Sequence, residues 1–231
     1  MCGRAKLPDD VSEIKLDLKI DFDEIENYQP RWNVAPTSQL PVVVSRNGKR
    51  ILTLMRWGLV PSWAKDIKTG HATFNARAEG IETRPAFRGA WKAHRRCLVV
   101  ADGYYEWRVA DKQPFAVALG NRGPMTVAGL WDLWRDPLTA TAKPLKSFAI
   151  VTTPANTLLQ QLHDRMPAVI APDNWAAWLG ETEATEPQLK ALLRPYPDSA
   201  MAFWPVDRKV GNVKKASPDL LSRLCEVPQR A

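Results

Sequence analysis

The sequence predicts an α+β fold in one compact, strand-rich domain covering residues 1–231. Three observations predict it. Alternating or continuous apolar runs of strand length dominate up to about residue 153, and the helical patterns are short and mostly come after them. No linker, internal repeat or low-complexity tract divides the chain. Hydrophobic residues make up 45% and charged residues 25%, a balance that supports one sizeable core.

Taken in order, MCGRAKLP is followed by VSEIKLDLKI and FDEIENY, a helical or irregular stretch of mixed charge. A Pro-flanked segment, RWNVAPTS, then leads into the runs QLPVVVS, RILTLMRWG, ATFNARA, RCLVVADGYYEW, PFAVAL, MTVAGLW and SFAIVTT, which read as strands. Asn47-Gly48 joins two of them as a hairpin turn, because both residues tolerate positive φ. Thr153 and Pro154 have the form of an N-cap and first-turn proline, which predicts a helix over TPANTLLQQL. DNWAAWLG, PQLKALL and SPDLLSRL are the other helix candidates. RDPLTATAKPLK reads as a mobile insertion and the Arg-Ala end as a frayed tail.

The charge excludes some functions and favours others. Lys and Arg outnumber Asp and Glu by 32 to 25, a net charge of +7 that suits a polyanionic partner. Ten tryptophans add faces on which unpaired bases could stack. No run approaches the roughly 20 apolar residues of a membrane span, and no signal-peptide apolar region follows Arg4 and Lys6. A cytoplasmic protein, associated with the nucleoid when on DNA, is expected. The three cysteines, Cys2, Cys97 and Cys225, form no CxxC pair, and there are only three histidines, so neither a disulfide framework, a metal site nor another cofactor is expected.

Several segments carry chemistry. Removal of Met1 before the small Cys2 would leave an α-amine and a thiol on one residue. A reference α-amino pKa of about 7.7–8.0 leaves much of such an amine neutral and able to attack an aldehyde. The thiol could then close a five-membered thiazolidine. In TFNARAE, strand periodicity sets Asn75, Arg77 and Glu79 on one face, and an arginine fork there matches phosphate oxygens. ADGYYEW sets the Glu106 carboxylate among aromatics, where it could accept or donate a proton. LHDRMP places His163 where the expected helix ends, and the negative end of a helix suits a cationic imidazolium acting as general acid. VDRKVGNVKK is a basic turn that would add sequence-independent affinity beside a phosphate chain.

Together MCGR, NVAPT, RWGLVPSWAKD, FNARAE, ADGYYEW, LHDRMP and VGNVKK, in that order, resemble the SRAP (SOS-response-associated peptidase) family. The resemblance implies a barrel-like, mainly antiparallel sheet with flanking short helices and a basic groove. It implies covalent capture of abasic sites in single-stranded DNA, with Cys2 as nucleophile, Asn75 positioning it, and Glu106 and His163 in the active site. Arg4, Arg77, Trp107 and Arg165 fall on positions implied to contact DNA, and Trp63 on an aromatic implied to sit by the DNA ends. Lyase and autoproteolytic activity and a monomeric state accompany that expectation. Two other classes stay open: a cysteine peptidase using Cys2, His163 and Glu106, and a single-strand-binding module without chemistry.

Overall fold

In the computed structural model, residues 3–139 and 143–224 are described. Twelve strands run in chain order: β1 (Ala5–Lys6), β2 (Phe22–Asp23), β3 (Gln39–Arg46), β4 (Lys49–Trp57), β5 (Asn75–Arg77), β6 (Arg96–Ala101), β7 (Gly103–Trp107), β8 (Pro114–Leu119), β9 (Met125–Trp134), β10 (Leu145–Pro154), β11 (Arg165–Pro167) and β12 (Met201–Pro205). The helices are short: α1 (Ser12–Asp17), α2 (Arg88–Lys92), α3 (Trp175–Leu179) and α4 (Glu186–Leu192).

The largest sheet closes on itself. β3 pairs β4 and β6, β6 pairs β9, β9 pairs β10, and β10 returns to β4 through a short parallel contact at Ser147–Arg56 and Phe148–Trp57. This ring is barrel-like and mainly antiparallel. The β3–β4 hairpin turns at Asn47 (φ 52°) and Gly48 (φ 72°), the two positive φ values that a tight turn of this hand requires. The runs VVV, LVV and AIV are apolar throughout because both faces of the ring are covered. Val42, Val44, Val99, Val127, Phe148 and Ile150 fill one core, while Val43, Leu98, Ala128, Ala149 and Val151 face a second core that holds helix residues Ile14, Trp91, Trp178 and Leu189.

A second, four-stranded sheet has the order β1-β7-β8-β12. The run RCLVVADGYYEW therefore supplies two strands in different sheets, separated at Asp102. The Asp102 N–H donates to the Lys6 carbonyl, and its carboxylate pairs with the buried Lys6 ammonium. Burial raises the Asp102 pKa, an effect that the Lys6 hydrogen bond opposes.

Two expected α-helices are absent among the described residues. Thr153 and Pro154 end β10 instead of opening a helix, and TPANTLLQQL holds only a 3-10 turn at Leu159–Gln161. β10 is paired with β11 up to Pro154, and those ladder bonds outweigh a weak local helix signal. SPDLLSRL likewise forms a single 3-10 turn, Pro218–Leu221. The helices expected over DNWAAWLG and PQLKALL form, as α3 and α4. Gly180 ends α3 in the left-handed conformation, and Thr185 and Gln188 form a capping box on α4. Of the expected insertion at 135–146, residues 140–142 lie outside the described residues, as does the Arg-Ala end. Among the described residues no helix is long and apolar enough to cross a membrane.

Candidate active site

β7 carries Glu106 and receives the start of the chain. The pairing Ala5–Tyr104 continues as a hydrogen bond from the Tyr105 N–H to the Arg4 carbonyl (2.9 Å), one residue before Glu106. Alternation along β7 puts Tyr104 and Glu106 on one face and Tyr105 and Trp107 on the other. Tyr104 joins the ring core, and Tyr105 joins the small core beneath Trp204 and Val210. Glu106 is 4% exposed, and its Oε1 accepts from the Trp107 N–H at 3.2 Å. Cys2 lies outside the described residues.

Arg4 is occupied by the protein itself. Its guanidinium lies 5.9 Å from the Trp107 ring centre and donates to the carbonyls of Val210 and Gly211 (both 2.9 Å) and to Asn33 Oδ1 (3.0 Å). The buried Asn33 amide then donates to the carbonyls of Val210, Asn212 and Lys215 (3.0, 3.1 and 2.8 Å). The MCGR, NVAPT and VGNVKK segments thus form one cluster, which presents the exposed Lys214 and Lys215 beside the chain start. Asn33 was not among the expected site residues. NVAPT is legible as a motif, but its hydrogen-bond partners lie about 180 residues away.

The His163 turn is tied to the end of the same β7 segment, because the Val109 N–H donates to the Leu162 carbonyl at 3.0 Å. No α-helix ends there, so no α-helix dipole acts on His163 as the sequence had suggested. Its immediate neighbours set its chemistry instead. Nδ1 accepts from the Arg165 N–H at 3.1 Å and lies 2.6 Å from Asp164 Oδ1. The first contact suits an Nδ1 without a proton, and the second an Nδ1–H that donates to the carboxylate.

Asn75 and Arg77 sit on β5, beside Ile150 and Thr152 of β10. Phe74 is fixed ahead of them, its carbonyl accepting from Trp57 Nε1 (2.9 Å) and from the Ile150 N–H (3.0 Å). Asn75 is half-buried, whereas Arg77 and Glu79 are exposed, as the alternation predicted. Arg165, with a side chain 10% exposed, forks onto Glu79 (2.6 and 2.9 Å) and donates to the Thr152 carbonyl (2.5 Å). That Arg165 hydrogen bond is the main reason the Glu79 carboxyl is held below the usual glutamate range.

Trp63 stands apart from this group, on the loop after β4. The Ser62 N–H donates to Asp132 (3.0 Å), Val60 N–H to Ser147 Oγ (2.8 Å), and Trp134 Nε1 to the Ala64 carbonyl (2.7 Å). Gly58 and Gly70 pack so closely that a Cβ on Gly58 would lie 2.4 Å from the Gly70 carbonyl. The loop is therefore pinned at several points while the Trp63 side chain is 63% exposed. Among the described residues no group of three or more His, Cys, Asp and Glu side chains could hold a metal ion.

Comparison with known proteins agrees with this architecture. Residues 1–213 match the profile described as SOS response associated peptidase (SRAP). The abasic site processing protein YoqW of Bacillus subtilis is 35% identical over 225 residues, covering 96% of this chain and 99% of that protein. The abasic site processing protein HMCES of Gallus gallus is 31% identical, covering 84% of this chain and 66% of that protein. A crystal structure of a protein from Bacteroides thetaiotaomicron superposes with a TM-score of 0.85 at 23% identity, covering 97% of this chain and all of the other, a likeness of fold.

Proposed function

The chain belongs to the SOS response associated peptidase family, and on that premise we propose that it captures abasic sites in single-stranded DNA through Cys2, once Met1 has been removed. Relatives named abasic site processing proteins support the abasic-site part of this reading. The observation that carries it is the convergence on β7. The chain start is bonded one residue before Glu106, and the His163 turn is bonded to Val109 just beyond the same strand. Two residues of chain reach about 7 Å at most, the working radius of anything attached upstream of Arg4.

The reaction balances with side chains alone. His163 protonates the sugar ring oxygen as the anomeric hydroxyl loses its proton, which opens the ring to an aldehyde and a C4′ hydroxyl. The Cys2 amine, oriented by Asn75, adds to the carbonyl carbon while Glu106 takes its proton, and loss of one water leaves a Schiff base. The thiol then adds its sulfur to that carbon and its proton to the nitrogen, closing a thiazolidine. Holding amine and aldehyde together raises their effective concentration by several orders of magnitude. Arg77, Lys214 and Lys215 supply phosphate affinity, Trp63 and Trp107 supply stacking faces, and Arg4 and Arg165 act first as braces.

A denaturing gel tests this reading against its rivals. Protein incubated with an abasic oligonucleotide should run with the added mass of the strand. A peptidase, or a binding module without chemistry, would leave the two separate. Intact mass before the reaction should show Met1 absent, and protein retaining Met1 should bind single strands without crosslinking.

A further inference from the structure

We propose that Glu79 is a positioning residue for His163, acting through the Arg165 clamp, an inference that rests on the role given to His163 above. The argument starts from the register of β11 on β10. Hydrogen bonds from Ala155 N–H to the Asp164 carbonyl and from Ala168 N–H to the Val151 carbonyl mark the bonded positions of this antiparallel ladder. Bonded and non-bonded pairs alternate, so Pro154–Arg165 is a non-bonded pair, and the Arg165 N–H points away from β10. That outward N–H is the group His163 Nδ1 accepts from, at 3.1 Å.

The ladder does not hold Arg165 at this position, but its side chain does. The guanidinium crosses β10, donating to the Thr152 carbonyl at 2.5 Å, and ends in the two-pronged contact with Glu79 just beyond β5. Three strand ends are joined by one side chain. A planar fork against a carboxylate fixes direction as well as distance, which a single hydrogen bond does not. Arg165 Nε is buried and has no hydrogen-bond partner among the described residues, so the clamp depends on the two Nη groups. With the clamp closed, the Arg165 N–H is aimed at Nδ1, which also lies 2.6 Å from Asp164 Oδ1, and these two contacts fix the orientation of the His163 ring. Without Glu79, the Arg165 side chain keeps only its contact with Thr152, and the imidazole loses its fixed orientation.

The experiment uses Glu79→Ala and Glu79→Gln in the full chain with Met1 removed. Single-turnover crosslinking is measured on a natural abasic strand and on a strand bearing an open-chain aldehyde. Glu79→Ala should slow the natural site about tenfold, a cost in the range of a small misplacement, and the open-chain strand less than twofold. Glu79→Gln, which can still accept one hydrogen bond from the guanidinium, should fall between Glu79→Ala and the parent. Affinity for intact single strands should not fall in either variant. Equal slowing of both substrates, a parent-like rate in Glu79→Ala, or weakened binding to intact strands would overturn the proposal. An independent arm reads the ring itself. Imidazole 15N shifts should differ between the parent and Glu79→Ala, because the Arg165 N–H is held against Nδ1 only while the clamp is closed. Unchanged shifts overturn the clamp even if the parent forms no adduct, a result that would instead sink the proposed function.

Discussion

In the closed ring each strand has two ladder partners, and Val42, Val99, Val127, Phe148 and Ile150 bury one another. Around the chain start the support is of another kind. β1 is two residues long, and its surroundings are joined by the side chains of Arg4 and Asn33, reaching carbonyls between Val210 and Lys215. The ring is stabilised by area, spread over many residues, whereas the chain start is held by a few directional bonds. The chain start can thus be shifted by single substitutions that leave the ring intact. The two regions should therefore fail separately.

The largest effect expected is on chemistry alone. Cys2→Ala should remove the heat-stable adduct completely while the unfolding midpoint and single-strand affinity stay at parent values. The retained amine can still form a transient Schiff base, so this variant should nick abasic strands by β-elimination. A heat-stable adduct in Cys2→Ala would mean that another residue supplies the bond.

The opposite failure comes from the ring. Phe148→Ala, at a fully buried position, should cost about 3–5 kcal/mol in urea unfolding. Adduct formation should fall only in proportion to the unfolded fraction. A smaller cost would show that the stability does not centre on the ring.

Asn33→Ala tests the hinge between the two regions. It strands the carbonyls of Asn212 and Lys215 and one Arg4 contact, at about 1–3 kcal/mol. Hydrogen exchange should rise in the chain start and residues 207–221 before it rises in β3, β6 or β9, and crosslinking should slow with it. Uniform exchange throughout would erase the distinction between the regions.

Arg77→Ala should act on binding alone. The log–log salt dependence for single strands should flatten by about 0.7, with no change in the rate once DNA is bound. A slope equal to that of the parent would put Arg77 outside the DNA path.

The smallest effect is a pH dependence at the Glu79–Arg165 clamp. The folded Glu79 carboxyl titrates below its ordinary value of about 4.3, so the stability it adds is present above that value. It is lost as pH falls through the lower, folded value. Glu79 is half-exposed, so the change should be local and modest. Imidazole shifts of His163 in the acid range should follow this loss in the parent and not in Glu79→Gln.

Much of this was legible from local rules. Periodicity identified the ring strands and Asn47-Gly48 the hairpin, because each depends on φ, ψ and burial within a few residues. The face shared by Asn75, Arg77 and Glu79 was legible for the same reason. The motif set identified Glu106 and His163 as residues of interest. It could not say that a fork between Glu79 and Arg165 stands behind the histidine.

The misreadings share one cause. TPANTLLQQL satisfies local criteria for a helix start, yet β5 and β11 pair with β10 as far as Thr152 and Pro154, and no local count includes those partners. The run through Asp102 is continuous as sequence, but the chain changes sheets there because Lys6, far upstream, pairs with that carboxylate. Arg4 and Arg165, which the resemblance implies contact DNA, also hold partners within the protein that lie far along the chain. Residue types, alternation and turn chemistry were determined by the sequence itself. Closure of the ring, the meeting of the chain start with residues 210–215, and the engagement of both arginines were decided only in three dimensions. They depend on which donors and acceptors, far apart along the chain, come within about 3 Å of one another.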